Sequence, residues 1–237
     1  MRRGPLPIPV LSPDGRLLFV QLGGPHAVLS SAIVNGGRRS AREVVWVEVR
    51  DDDLRPPVDP VCFTRDRLLG AKLPGAVGLL TSRALTRFVV SERTSDGVSA
   101  RCVATVGLGN ALRAGDPPGP APRAGTINLL CQVSAPLTEE ALLEALTIAV
   151  EARTLAVLEA GLASGRSGLP ATGTGTDCVV VAAPEDGAAA ALPYAGKHTT
   201  VGHVVGAAVH EAIARGAADW LAENGAARRA DVVGAGR

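Results

Sequence analysis

Apolar residues fall along this chain in short blocks, separated by glycine, proline and asparagine, and the blocks change period as the chain proceeds. Residues 16–21 predict a first strand, closed by Gly23-Gly24-Pro25. A second apolar run, residues 26–34, stops at Asn35-Gly36-Gly37, residue types that tolerate positive φ. Residues 43–49 alternate in part, as a third strand does. Residues 59–73 are weakly helical, with Val61, Leu68 and Leu69 as apolar positions and Pro74-Gly75 as the stop. Residues 77–81, 87–91 and 98–107 predict three more strands, the last two joined through a hairpin turn at Thr94-Ser95-Asp96-Gly97.

The second half is more regular. Residues 117–122 are too rich in proline for helix or central strand and read as a surface loop. Residues 125–133 predict a strand. Thr138 as N-cap, with Glu139 and Glu140 in the first turn, opens a long helix to about residue 160. At 100° per residue its apolar face holds Leu142, Leu146, Ala149, Val157 and Ala160, with Arg153 in the middle. The run Cys178-Val179-Val180-Val181-Ala182-Ala183 has the length and branching of a buried strand. A last helix, residues 199–223, turns Val201, Val205, Ala208, Val209 and Ala212 inward, with Gly202 and Gly206 near one edge and His203 and His210 opposite. Helices are too few and too uneven for a doubly wound sheet. The expected fold is α+β: one domain over residues 1–237, a mixed and largely antiparallel sheet covered by two long helices, with flexible ends at 1–15 and 226–237.

Composition narrows the function. The 237 residues carry 24 Lys and Arg against 23 Asp and Glu, a net charge of +1, and no basic block. With aromatic residues at only 3%, the chain has neither the charge nor the stacking platforms of a nucleic-acid surface. No segment is apolar and long enough to span a membrane, and Met1-Arg2-Arg3-Gly4-Pro5 leads into no hydrophobic signal region. Cys62, Cys102, Cys131 and Cys178 lie far apart, three of them inside apolar runs, which reads as buried thiols in a reducing cytoplasm.

Two polar loops flank the strand at 178–183. Before it stands Ala171-Thr172-Gly173-Thr174-Gly175-Thr176-Asp177, and after it Gly196-Lys197-His198-Thr199-Thr200. The first lacks the Gly-Lys-Ser/Thr ending and the strand-loop-helix order of a phosphate loop. Thr174 or Thr176 could be a nucleophile beside a base; the plainer reading is a turn whose hydroxyls satisfy the backbone. The second puts Lys197, His198 and Thr199 at a helix start, where free N–H groups favour an anion or a polarised carbonyl, and His198 is the first candidate acid or base. His198, His203 and His210 with Asp177 lack the tight spacing of a metal site, so no metal is expected. Arg153 has two readings, a stem packed on apolar surface or a guanidinium paired with Asp177 or Asp116. Asn35, Asn110 and Asn128 carry amides suited to binding primary amides, and are also ordinary turn formers.

Taken in order, Leu29-Ser30-Ser31-Ala32, Asn35-Gly36-Gly37, Asn110-Ala111, Arg113-Ala114-Gly115-Asp116, Gly125-Thr126-Ile127-Asn128, Glu151-Ala152-Arg153, 171–177 and Tyr194-Ala195-Gly196-Lys197-His198-Thr199 resemble the adenosylcobinamide amidohydrolase family, over residues 24–214. The resemblance implies corrinoid salvage: hydrolysis of the amide between the corrin propionyl arm and aminopropanol, releasing adenosylcobyric acid, with the corrinoid as substrate. No cofactor is expected to be required, a divalent metal being the less favoured alternative. In that family lysine is common where this chain has Arg153. On this reading a water, Thr174 or Thr176 attacks the amide, Asp177 or His198 takes the proton, and Lys197 with the amides near Thr199 stabilises the oxyanion. Asn35, Gly36, Gly37, Asn110, Asp116, Asn128, Arg153 and Thr199 are the expected substrate-binding residues. The other readings are a corrinoid-binding protein without hydrolysis and a hydrolase of another linear amide; oligomerisation with copies of itself is left open.

Overall fold

The computed structural model describes residues 6, 8–50, 52–119, 124–185 and 190–234. The chain orders β1 (Val10–Leu11), β2 (Leu17–Ser30), β3 (Gly37–Glu48), α1 (Pro60–Gly70), β4 (Val77–Thr81), β5 (Val89–Ser95), β6 (Val98–Val106), β7 (Ala111–Leu112), β8 (Ile127–Val133), α2 (Glu139–Glu159), β9 (Gly173–Thr174), β10 (Cys178–Pro184) and α3 (Thr200–Gly234). One mixed sheet has the order β4-β3-β2-β10-β8-β6-β5, with β1 beside β2. Its pairs are antiparallel except β3 with β4 and β8 with β10. β7 and β9 form a separate antiparallel pair. The fold is α+β.

The two strands expected at 16–21 and 26–34 are one. β2 runs unbroken against β3, with a register shift between Gln21 and His26 where Gly23 and Gly24 take positive φ (80° and 156°). Glycine here makes a bulge and not a turn, because β3 continues to pair on both sides of it. The bulge bends the ribbon: residues 17–22 pair with β3 and β1, and residues 26–30 with β3 and β10.

That bend folds the sheet over on itself. Leu18, Val20, Leu22, Val44, Trp46, Val77 and Leu79 from one half pack against Val103, Leu130, Val180 and Ala182 from the other, forming a buried inter-layer core. Two side-chain amides stitch the layers: Asn128 Nδ2 donates to Leu80 O at 2.8 Å, and Gln132 Nε2 to Leu22 O at 3.0 Å. The outer face of the β10-β8-β6-β5 half is covered by α2 and α3, which bury Leu142, Ala149, Val157, Val201, Val205, Ala208, Val209 and Ala212 against Ile127, Leu129, Cys131, Val179 and Val181. The third helix, α1, covers the outer face of β3 and β4 through Leu68 and Val61. Its N-cap Asp59 accepts the Cys62 amide at 2.8 Å, a contact contributing about 1 kcal/mol to the helix.

α3 extends to Gly234, beyond the stop expected at 223. Of the two ends expected to be flexible, residues 1–5, 7 and 235–237 lie outside the described residues, while Val10–Leu11 pair with Phe19 and Leu18. No described helix is long and apolar enough to cross a membrane.

Candidate active site

The loop 171–177 joins α2 to β10 at one end of the folded sheet, and Asp177 is its fixed point. The Asp177 carboxylate gathers four donors. Oδ1 accepts from the Ile127 amide at 3.1 Å and from the Thr174 hydroxyl; Oδ2 accepts from the Thr174 amide at 3.0 Å and from the Arg153 guanidinium. Arg153 thus takes the second of its two readings: its side chain is 13% exposed and that of Asp177 8%. The alternative partner, Asp116, is held elsewhere. The hydroxyls of Ser164 and Ser167 and the Arg113 amide keep its carboxyl below the ordinary value, and it closes the 113–116 turn.

Two glycines make room for this arrangement. A Cβ at Gly173 would clash with Asp177 Oδ2 and stand 3.0 Å from Arg153 Nη1, so the ion pair closes over bare backbone. A Cβ at Gly175 would stand 2.7 Å from Asn110 Nδ2. β7 and β9 pair across the same region, and Thr172 Oγ1 accepts the Ala114 amide at 2.8 Å. Short strands at 111–112 and 173–174 escape a sequence reading because two residues carry no periodicity.

The loop separates two clefts. One, of about 250 Å³, is lined by Leu112, Arg113, Ala114, Arg153, Thr172, Gly173, Thr174, Gly175 and Asp177. The other, of about 330 Å³, opens at the end of the inter-layer core and reaches Leu80, Thr81, Ser82, Asn110, Gly125, Thr126, Thr176 and Cys178. Thr126 Oγ1 donates to Thr176 O at 2.8 Å, and Thr176 Oγ1 to Gly125 O at 3.3 Å. Thr81, Ser82 and Thr126 were not among the expected site residues. Thr126 had a signal in the Gly125-Thr126-Ile127-Asn128 stretch; Thr81 and Ser82 end an ordinary strand and had none.

The second expected group does not join the first. Asp177 binds the amide of Ile127, the first residue of β8, whereas Leu192 pairs with Leu137, beyond its last residue. Seven residues of strand separate the two levels by roughly 20 Å. On the far side Ala195 N–H donates to Glu144 at 2.6 Å and Lys197 pairs with Glu151 at the surface. His198 is exposed and has no hydrogen-bond partner among the described residues. Thr199 caps α3, accepting the Gly202 amide at 3.0 Å and donating to Gly196 O. No described hydrogen bond or ion pair joins Lys197 or His198 to the threonine loop: Lys197 pairs with Glu151, two residues along α2 from Arg153 and so on the other side of that helix.

The asparagines also divide. Asn35 (φ 55°) donates both amide hydrogens to Pro74 O and Ala76 O, at 2.9 and 2.7 Å, so it fastens a turn. Gly36 abuts the Ala32 carbonyl and Gly37 takes φ 80°, so these glycines serve the same turn. Asn128 is committed to the inter-layer contact. Only Asn110 faces a cleft with its side chain unbonded among the described residues. His210 pairs with Glu159 at 2.6 Å on the surface. Among the described residues no three His, Cys, Asp or Glu side chains stand together as metal ligands would.

A family model described as adenosylcobinamide amidohydrolase matches residues 12–225. The chain is 31% identical over 191 residues to the adenosylcobinamide amidohydrolase of Methanosarcina mazei, covering 77% of this chain and 86% of that one. It is 36% identical over 90 residues to the uncharacterized protein MJ1613 of Methanocaldococcus jannaschii, covering 38% of this chain and 34% of that one. Among solved structures, the PH0078 protein of Pyrococcus horikoshii OT3 aligns with TM-score 0.46 and 12% identity over 89% of this chain and 82% of its own. An L-aminopeptidase D-Ala-esterase/amidase from Ochrobactrum anthropi aligns with TM-score 0.42 and 13% identity, over 88% and 81%. With the family model spanning nearly the whole chain, this protein belongs to the adenosylcobinamide amidohydrolase family, whose members are hydrolases of an amide bond.

Proposed function

We propose that this enzyme hydrolyses the amide joining the corrin propionyl arm of adenosylcobinamide to aminopropanol, releasing adenosylcobyric acid for cobalamin salvage. Family membership supports the substrate. The observation that carries the chemistry is the chain of contacts Thr174 Oγ1 to Asp177 to Arg153 in the wall of the smaller cleft. A hydroxyl in contact with a carboxylate, itself oriented by a third group, is the arrangement of an activated nucleophile.

In this reading Thr174 Oγ1 attacks the amide carbonyl and its proton passes to Asp177 Oδ1. The tetrahedral intermediate collapses as the C–N bond breaks, and the proton leaves with the amine. Water then cleaves the threonyl ester, giving its proton to Asp177, and Thr174 is restored. Arg153 positions Asp177 and balances its charge.

The test is incubation of the purified protein with adenosylcobinamide, with mass detection of adenosylcobyric acid and aminopropanol. Thr174→Ala is expected to lower kcat by at least about 10³-fold, with Thr174→Ser retaining activity. Equal turnover by Thr174→Ala and the parent would overturn the nucleophile, and no product from the parent would overturn the function.

A further inference from the structure

The cleft of about 250 Å³ that holds Thr174 is lined by two arginines, and they differ in what they face. Arg153 is paired with Asp177 and nearly closed to solvent. Arg113 has no carboxylate partner among the described residues. One of its five guanidinium donors goes to Pro170 O at 2.9 Å, and the other four meet no acceptor among the described residues. With the Asp177 charge already balanced, the cleft lining carries one positive charge in excess beside Thr174.

Asp116, three residues on, does not supply the missing anion. Its carboxylate accepts the Arg113 backbone amide at 2.9 Å and the hydroxyls of Ser164 and Ser167, and the cation that helps to hold it ionised is Arg166. These contacts fix the backbone of the 113–116 turn without engaging the Arg113 guanidinium. Thr172 Oγ1 fastens the turn again by accepting the Ala114 amide at 2.8 Å. Arg113 follows directly on β7, two residues past Ala111, which pairs with Thr174. A diagonal of that kind is within reach of a long side chain. The turn therefore holds an unpaired guanidinium on an anchored backbone in the wall of the cleft.

We propose that Arg113 is the anion-binding group of this site: its free N–H donors take the oxygen of the scissile carbonyl as negative charge develops there, and afterwards the carboxylate of the product. The inference rests on the amidohydrolase reading above. A neutral amide enters and, at neutral pH, a carboxylate leaves, so negative charge grows on the reacting group while the charges of the cleft stay fixed. A guanidinium already held by one donor to a main-chain carbonyl needs little reorganisation to meet that charge, and its planar fork matches the two oxygens of a carboxylate. The site accordingly binds its acid product more tightly than a neutral amide of the same size.

Adenosylcobyric acid and its primary amide test this, because they differ only in a carboxylate against a carboxamide. Both are measured as competitive inhibitors of adenosylcobinamide cleavage, and as ligands by ultrafiltration of the coloured corrinoids in incubations short enough that mass detection shows the amide intact. The parent is expected to bind the acid at least about 10-fold more tightly than the amide. Arg113→Gln is expected to bring that ratio to about 1 and to lower kcat by about 10²-fold, whereas Arg113→Lys, which keeps the charge, retains part of the preference. An arginine that only clamped Pro170 would lower kcat without moving the ratio. Equal affinities for acid and amide in the parent would overturn the proposal, and this comparison needs no variant. An unchanged ratio in a folded Arg113→Gln protein would overturn the assignment to Arg113, and an unchanged kcat its role at the oxyanion. If the parent releases no adenosylcobyric acid from adenosylcobinamide, the amidohydrolase reading fails by itself; the two Kd values then still read the anion site, and equal values overturn it.

Discussion

Arg153 on α2 and Asp177 at the foot of β10 form an ion pair nearly closed to solvent, and the pair ties the helical layer to the end of the sheet where the two clefts open. Removing one partner leaves the other's charge uncompensated. Arg153→Ala is expected to destabilise the protein by about 3 kcal/mol, and the double variant with Asp177→Asn by less than the sum of the two. Thermal melts of the three variants check this. Additive losses would mean that the two side chains do not interact.

His198 and Lys197 stand at the opposite end of β8 from Thr174. His198→Ala and Lys197→Met are therefore expected to keep kcat within about twofold of the parent. A loss approaching that of Thr174→Ala would show that the two loops work on one reacting centre after all.

Two glycines one helical turn apart on α3 should respond with opposite sign. A Cβ at Gly202 would press on the Gly196 and Ala195 carbonyls, the latter at 2.6 Å, whereas at Gly206 it would meet only Ile148 Cγ2 at 3.5 Å. Gly202→Ala is expected to cost about 1–3 kcal/mol by overpacking. Gly206→Ala is expected to be stabilising by up to about 1 kcal/mol, since alanine favours helix. Urea midpoints of the two variants decide it.

Buried thiols set an alkaline limit. Burial pushes Cys131 up to about 12 and Cys178 up to about 11, and raises Cys102 as well, from an ordinary value of 9.0. The unfolded chain therefore loses thiol protons first. The stability they contribute is complete below about pH 9 and is lost as pH rises toward 11–12, because there the native state binds more protons. Denaturation measured from pH 8 to 11 should show the fall, and Cys131→Ala should flatten it. A thiol reagent should label the exposed Cys62 in the native protein and all four cysteines in denaturant.

What the sequence determined by itself was local. Alternation and β-branching mark Val77–Thr81, Ile127–Val133 and Cys178–Pro184, and Thr138 with its two glutamates marks the start of α2, because these elements follow from patterns a few residues long. The motif residues at 110, 125–128 and 171–177 were legible as a set, and family membership followed from them. Tertiary structure alone decided where those pieces meet. Gly23-Gly24 reads as a turn until β3 pairs on both sides of it, and the bend it allows is what folds the sheet into two layers. Arg153 was ambiguous in sequence because a guanidinium on an apolar face can reach solvent or a carboxylate, and only the position of Asp177 selects between them. The absence of any described contact between His198 and the threonine loop was hidden for a similar reason: a strand of seven residues carries its two flanking loops to opposite ends of the sheet, a distance that adjacency in sequence conceals.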